Sequence, residues 1–393
     1  MTSNQASHQA THPAASQNHQ KILSIQVLRG LAAVLVIHSH AIGHQMKLNN
    51  GEAWQRQFFH LASFGAVGVD IFFVISGFII TLVARKFVRE HGCQDFFAKR
   101  LLRILPIYWA LTLVELIHAF IRHPERSPLS TTIKSIILLP IFDQENFIFP
   151  IISLGWTLSF ELYFYLVVAL FLLLKRKNFI VQLIAFMGSL VGIGLFVPEI
   201  SNPLFRFMTN PIIIEFLLGC LIGILYLSGL RLKPNVSYGL LGIAILMFLG
   251  TIILGNGDTS RAETILIDDK ASIRLLLWGL PSAALVAGLL FLELNQRLQF
   301  NRQLILFGDA SYSIYLTHYF ALTAFTKFWY ISRLPFPDLF IILAITFATF
   351  LGTGFYLLVE KQLLHYLNCK YQQYCQQRDG RRADSLEWEK EAQ

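Results

Sequence analysis

The chain has little charge. Of its 393 residues, 14% are Asp, Glu, Lys or Arg and 54% are hydrophobic, whereas about a quarter of an ordinary soluble domain is charged. This balance excludes such a domain and favours a protein that crosses a membrane several times. The formal net charge of +8 is interpreted as a topology signal, because basic residues of membrane proteins concentrate in cytoplasmic loops. We therefore predict no nucleic-acid partner.

Cysteine is also scarce, and we expect no cleavable signal peptide. Cys93, Cys220, Cys369 and Cys375 have neither the paired spacing of a zinc site nor the pattern of a secreted disulfide framework. The amino-terminal residues lack the basic start and apolar core of a cleavable signal peptide. Because they are rich in Gln, Ser, His and Asn, we predict a disordered tail over residues 1–21.

Long apolar segments make up most of the remaining chain. A helix needs about 20 residues to cross a hydrocarbon core, and ten segments come close to this or exceed it. They lie near residues 26–46, 64–84, 104–121, 154–174, 179–197, 211–229, 236–255, 273–292, 304–330 and 338–360. Most Lys and Arg residues lie in the termini and in the loops after segments two, four, six and eight. Both termini are therefore predicted to be cytoplasmic.

These features predict an all-α fold, a polytopic membrane helix bundle with about ten transmembrane helices. One membrane domain covers residues 22–361, and residues 362–393 form a cytoplasmic tail that is too short for a further domain. The expected location is the cytoplasmic (inner) membrane.

The first apolar segment, QVLRGLAAVLVIHSHAIGHQM, carries ionisable residues. In a helix, Arg29 and His40 lie within about 20° of the same face and roughly 16 Å apart along the axis. Ionisable groups at membrane depth are functional candidates by default. Segment one runs outward in the predicted topology, so Arg29 lies near the cytoplasmic face and His40 toward the outer face.

Two carboxylates fall near the depth of His40. Segments two and four run inward, which places Asp70 and Glu161 roughly 9 to 11 Å below the outer face. Other ionisable residues at or near this depth are Glu115, Glu215 and His318. We expect Glu161 or Asp70 to orient His40, as general-base catalysis requires. The alternative is a set of interhelical hydrogen bonds that only hold the bundle together.

A basic cluster, KRLLRILPIYW, opens segment three. Arg100 and Arg103 are three residues apart and project from one helix face, at the same cytoplasmic level as Arg29. Guanidinium groups suit bidentate phosphate contacts, whereas the alternative is surface charge that fixes orientation. His40 and His44 have the one-turn spacing of a metal pair, but no third ligand is indicated, so we predict no metal site.

Several motifs occur in a fixed order along the chain. They are the spacing of Arg29 and His40, GVDIFFVISGF (68–78), the R-x-x-R of Arg100 and Arg103, GWTLSFELYFY (155–165), ASYSIYLTH (310–318) and VEK (359–361). Together they resemble the integral-membrane acyltransferase-3 family, which moves acyl chains onto bacterial carbohydrates. The form of the fourth-segment motif looks most like the exopolysaccharide-modifying branch.

The resemblance implies transfer of an acetyl or other short acyl group to a hydroxyl of a cell-surface or exported, often lipid-linked, sugar. Acyl-CoA is the implied donor, as a co-substrate, with no permanently bound cofactor, and membrane lipid surrounds the protein. His40 would be the catalytic histidine, assisted by Arg29, while Arg100 and Arg103 would face the donor. Asp70 and Glu161 complete the candidate catalytic set.

Two questions remain open from the residues alone. His40 could act as a general base or could carry the acyl group covalently. The alternative function is a membrane transporter or flippase for a carbohydrate or acyl substrate, because ionisable residues at mid-membrane also mark transport pathways.

Overall fold

The computed structural model describes residues 21–48, 51–58, 60–88, 92–122, 129–143, 146–197, 202–255, 259–266 and 270–391. Apart from residue 21, the predicted disordered tail lies outside these ranges. The α-helices are, in chain order, α1 (Leu23–Gln45), α2 (Trp54–Gln57), α3 (Leu61–Phe64), α4 (Val67–Ala84), α5 (Gly92–Arg122), α6 (Leu129–Ile136), α7 (Gly155–Leu172), α8 (Phe179–Phe196), α9 (Pro203–Met208), α10 (Ile213–Leu227), α11 (Pro234–Leu254), α12 (Ala262–Leu266), α13 (Lys270–Arg274), α14 (Leu280–Leu294), α15 (Arg302–Asp309), α16 (Ser311–Ser332), α17 (Pro337–Phe355) and α18 (Lys361–Glu391). A hairpin of two three-residue strands, β1 (Ile141–Asp143) and β2 (Asn146–Ile148), precedes α7.

The protein is an all-α, multi-pass membrane protein, as predicted. Within the described residues, nine helical stretches are long and apolar enough to cross a membrane, and they coincide with nine of the ten predicted segments. The remaining segment, predicted near 304–330, is divided at Ala310 into α15 and α16. At 22 residues, α16 is long enough to cross a membrane, but its polar residues make it less apolar than the nine stretches. The cytoplasmic position of both termini stays a prediction.

Glycines let three of the long helices touch along their backbones. A Cβ atom on Gly68 of α4 would lie 2.2 Å from the carbonyl oxygen of Ala32 in α1. One on Gly77 would lie 1.9 Å from the carbonyl oxygen of Phe216 in α10. Both distances are far below van der Waals contact, so only glycine allows this approach, as is common where membrane helices meet.

Helix α1 lies beside α15 and α16, and two contacts between them show the direction in which each helix runs. Gly308 sits against Gln26, where a Cβ would come within 1.9 Å of the Gln26 carbonyl oxygen. Further along both helices, His40 contacts His318. Because the contacts follow in the same chain order, α1 and α16 run in the same direction, and residues 311–315 lie on the Arg29 side of His318.

Two boundaries differ from those predicted. Helix α5 begins at Gly92 rather than near residue 104, because the polar stretch that carries Arg100 and Arg103 continues the helix. The region predicted only as a carboxy-terminal tail is helical through Glu391. Asp95 of α5 accepts a hydrogen bond of 2.9 Å from Nη1 of Arg378, which ties α18 to α5.

π-Helical turns accompany two of the buried charges. One turn, Leu275–Gly279, directly follows Arg274, and another, Tyr356–Glu360, ends at Glu360. Such turns occur frequently at functional sites. Arg274 and Glu360 are only 1% and 4% exposed, and Glu360 accepts a hydrogen bond from the Ser313 hydroxyl of α16.

Candidate active site

A cleft opens between α1, α4, α5, α7 and α16. Its empty space is about 800 Å³, including the open mouth. Along α4 it is lined from Val69 to Ile79, about 15 Å of helix. The cationic residues of the lining are Arg29, Arg100 and Arg103, and its acidic residue is Glu161. The structure therefore brings together four of the six predicted site residues.

The three arginines of the cleft are not neutralised by a close carboxylate. Among the described residues, none has an Asp or Glu oxygen within 4.0 Å. Within the described part of the chain, Arg29 donates a single weak hydrogen bond, 3.4 Å long, to Oε1 of Gln26. Nε of Arg100 is buried without a hydrogen-bond partner, and the guanidinium carbon lies 5.7 Å from the ring centroid of Phe96. The positive charge of the three arginines is therefore available to bind an anion in the cleft.

Glu161 lies in this cleft and makes no hydrogen bond to His40. Its Oε1 accepts a hydrogen bond of 3.0 Å from the hydroxyl of Ser76 and another from Tyr165. The expectation that Glu161 orients His40 is wrong. The expected common depth does not hold, because α4 runs antiparallel to α1, with Gly65 against Leu35 and Gly68 against Ala32. Ser76 and its partner Glu161 therefore lie near the level of Arg29 rather than that of His40, and Glu161 lines the cleft with the arginines.

Asp70 is engaged in a buried ion pair with Arg274. Its Oδ1 and Oδ2 accept hydrogen bonds of 2.9 and 2.7 Å from Nε and Nη2 of Arg274. The same guanidinium donates to the carbonyl oxygens of Thr259 at 2.8 Å and Ala66 at 3.1 Å. The expectation that Asp70 orients His40 is also wrong, because both of its oxygens are occupied by this pair.

The side chain that contacts His40 is His318. Nδ1 of His40 lies 2.7 Å from Nε2 of His318, and the two ring planes are 14° apart, with centroids 5.0 Å apart. This centroid separation is about the N···N distance plus two ring radii, so the rings meet edge to edge and the hydrogen bond lies near their planes. His318 is 1% exposed, whereas His40 is exposed. One imidazole is anchored and the other is accessible.

Tyr315 lies between the cleft and this histidine pair. Its ring lines the cleft, and the ring centroid is 5.9 Å from that of His318. Its hydroxyl shares a hydrogen bond of 2.8 Å with Oγ1 of Thr157, which also lines the cleft. Since residues 311–315 lie on the Arg29 side of His318, the cleft leads from the arginines toward the histidine pair.

Glu115 and His44 have other partners, whereas both carboxylate oxygens of Glu215 are buried without a hydrogen-bond partner among the described residues. Oε1 of Glu115 accepts a hydrogen bond of 3.3 Å from the Tyr319 hydroxyl. Nδ1 of His44 lies 2.9 Å from Oγ1 of Thr326, so His40 and His44 use different partners on α16. No group of three or more possible metal ligands occurs in the part of the chain that the structure describes.

Comparison with known proteins identifies the family of this chain. The acyltransferase-3 family, described as an acyltransferase domain, matches residues 22–358. The chain belongs to the acyltransferase-3 family. The resemblance found in the sequence motifs is thereby confirmed. As a member of the acyltransferase-3 family, the protein is an acyltransferase that transfers groups other than aminoacyl groups, which disfavours the transporter alternative.

Relatives of the chain include an exopolysaccharide production protein and O-acetyltransferases. The exopolysaccharide production protein ExoZ of Rhizobium meliloti is 31% identical over 308 residues, 78% of this chain and 91% of ExoZ. The peptidoglycan O-acetyltransferase OatA of Listeria monocytogenes is 26% identical over 335 residues, 77% of this chain and 50% of OatA. The O-acetyltransferase OatA of Staphylococcus aureus is 28% identical over 306 residues, 69% of this chain and 48% of OatA. The chain thus spans about half the length of either OatA, and no solved structure matches it.

Proposed function

We propose that the protein is an O-acyltransferase of the cytoplasmic membrane. It moves an acetyl or other short acyl group from acyl-CoA to a hydroxyl of a cell-surface or exported carbohydrate. The description of ExoZ as an exopolysaccharide production protein and of OatA as an O-acetyltransferase supports a carbohydrate acceptor and, from OatA, an acetyl group. The observation that carries the proposal is a cleft that leads toward an accessible histidine and is lined by three arginines with no carboxylate oxygen within 4.0 Å among the described residues.

The arginines fit the phosphates of coenzyme A. Guanidinium groups bind phosphate oxygens in pairs and stay charged at any physiological pH. The elongated cleft along α4 suits the pantetheine arm, with Ser76 near its middle and the aromatic rings of Phe72 and Tyr315 toward the histidine pair. With its phosphates at Arg100 and Arg103, the donor would direct its thioester toward His40.

His40 is the residue that we assign to proton transfer. The bond to His318 uses Nδ1, so Nε2 is the nitrogen that faces the acceptor. Nε2 takes the proton of the sugar hydroxyl while the hydroxyl oxygen attacks the thioester carbonyl carbon. A C–O ester bond forms, the C–S bond breaks, and the leaving thiolate receives that proton, which gives free coenzyme A thiol. General-base help of this kind is worth about 10² to 10⁴ in rate.

The test compares cells with and without the gene. Mass spectrometry of the surface polysaccharide should show the loss of one acyl mass per modified repeat when the gene is deleted. Wild-type protein should restore that mass, while His40→Ala should not, although it should accumulate normally in the membrane. A polysaccharide that is unchanged by deletion would refute the carbohydrate acceptor.

The donor and the order of steps are tested on purified protein. Labelled acetyl-CoA should bind in detergent or nanodiscs, and a rapid acid quench should leave no label on the protein during turnover. A labelled protein that needs His40 would instead show that the histidine carries the acyl group. Absence of acetyl-CoA binding, with transfer intact in cells, would require another donor.

A further inference from the structure

We infer that His318 is a positioning residue that accepts a hydrogen bond from Nδ1–H of His40 and thereby keeps Nε2 of His40 free to act as the base. This inference rests on the proposed function. It identifies the residue that orients His40, a role for which the sequence analysis expects Glu161 or Asp70. His318 itself touches no substrate in this scheme.

The geometry of the contact is that of a directed hydrogen bond. The 2.7 Å between Nδ1 of His40 and Nε2 of His318 is at the short end of the normal range, and the rings are nearly coplanar. The only acidic candidates that the sequence suggested for this position are engaged elsewhere, Asp70 with Arg274 and Glu161 with Ser76. His318 thus takes the place that a carboxylate holds in a serine-protease triad.

Counting protons shows why the direction of this bond matters. When both rings are neutral, one proton lies between the two nitrogens. If it belongs to Nδ1 of His40, then Nε2 of His40 carries a lone pair and can accept the hydroxyl proton. If it belongs to Nε2 of His318, then Nε2 of His40 is protonated and cannot act as a base.

The surroundings of His318 favour the productive direction. In the productive arrangement, the proton of neutral His318 sits on its Nδ1. That atom is buried and has no hydrogen-bond partner among the described residues, so only electrostatic interactions with the backbone of Ile314 and Tyr315 act on it. In a helix, the carbonyls three and four residues earlier point toward the side chain. Carbonyl oxygens are acceptors, so they favour a proton on Nδ1.

A neutral partner also suits this depth. A carboxylate next to His40 would carry a charge that is costly to bury in the resting protein. A histidine gives the same directional control without that charge, and it still accepts the Nδ1–H bond once His40 has become an imidazolium. The protein therefore orients its base with a neutral group and keeps its buried carboxylates for other contacts.

The experiment measures kcat and KM separately in three variants of the full-length protein. His318→Phe keeps a planar ring but removes the acceptor, and we expect kcat to fall about 10²-fold with KM for acetyl-CoA unchanged. His318→Gln places a carbonyl oxygen near the position of Nε2 and should recover most of this loss. His318→Asn is too short to reach that position and should behave like His318→Phe.

The matched control removes another histidine contact between the same two helices. Thr326→Val deletes the hydroxyl that lies 2.9 Å from His44 and keeps the shape of the side chain. If His318 only holds α1 against α16, Thr326→Val should resemble His318→Phe in kcat and in melting temperature. We expect kcat of Thr326→Val to stay within about twofold of wild type.

The outcomes separate this inference from the proposed function. Full transfer by His40→Ala would refute the proposed function. An inactive His40→Ala together with a fully active His318→Phe would overturn only the role of His318. Should His318→Phe fail to accumulate, the comparison of Gln with Asn decides, since equal kcat values in these two variants would overturn the inference.

Discussion

Two groups of arginines lie within the bundle, and they differ in how their charge is satisfied. Arg274 forms four hydrogen bonds, two of them to Asp70, and is 1% exposed. Arg100, Arg103 and Arg29 line an open cleft and have no carboxylate oxygen within 4.0 Å among the described residues. The first arrangement is complete without a ligand, whereas the second is completed only by an anion.

This difference separates structural from functional charge in a membrane protein. Removal of one member of a buried ion pair leaves the other as an uncompensated charge, so the pair of Asp70 and Arg274 should matter chiefly for folding. Removal of a cleft arginine breaks no ion pair of 4.0 Å or less among the described residues, so it should matter chiefly for binding. Four sets of substitutions test this separation, and they follow from the largest expected effect to the smallest.

Asp70→Ala should destabilise the protein most. It leaves the guanidinium of Arg274 buried without its counter-ion, at a cost of about 3 to 5 kcal/mol. Thermal unfolding of the purified protein in detergent measures the effect, and we expect a much lower melting temperature and little protein in the membrane. The matched control replaces both members, Asp70→Leu with Arg274→Met, and should recover much of the stability. If Asp70→Ala unfolds like wild type and only loses activity, Asp70 belongs to the catalytic set.

Arg100→Ala with Arg103→Ala should weaken donor binding without unfolding the protein. Each charged hydrogen bond to phosphate is worth about 1.5 to 3 kcal/mol, so the Kd for acetyl-CoA should rise by about 10²-fold or more. The melting temperature without ligand should stay close to that of wild type. Titration calorimetry with acetyl-CoA gives the Kd. Unchanged affinity would show that Arg100 and Arg103 only fix the orientation of the protein in the membrane.

Arg100→Lys should produce a smaller loss of the same kind. Lysine keeps the positive charge but lacks the planar fork that binds two phosphate oxygens at once. We expect the Kd for acetyl-CoA to rise by roughly tenfold, less than in the double alanine variant. If the lysine variant binds as weakly as the double alanine variant, the cleft uses Arg100 for shape or stacking on Phe96 rather than for charge.

Glu161→Gln should have the smallest effect on binding. The substitution removes the negative charge of Glu161, the acidic residue of the described cleft lining. The amide oxygen of the glutamine can still accept hydrogen bonds from Ser76 and Tyr165. With less repulsion against phosphate, acetyl-CoA should bind a few-fold more tightly at low salt. Tighter binding with normal turnover would define Glu161 as a regulator of cleft charge. Loss of turnover with normal binding would return it to the catalytic set predicted from the sequence.

The sequence by itself determined the membrane class, nine of the spans and the common helix face of Arg100 and Arg103, which both line the cleft. Hydropathy depends on composition over about 20 residues, and the pairing of Arg100 with Arg103 depends on a helical repeat. Both signals are local, so they survive without tertiary structure. The ordered motifs also indicated the family that the comparisons confirmed.

Only the tertiary structure decided which polar side chains meet. His40 and His318 are 278 residues apart in the chain, and Asp70 and Arg274 are 204 apart. The depth and the rotation of each helix relative to its neighbours select the partner, and the contact of Gly68 with Ala32 places Asp70 closer in depth to Arg29 than to His40. Those rotations are fixed by backbone contacts such as Gly68 against Ala32. They turned the expected carboxylates away from His40 and placed a neutral imidazole beside it.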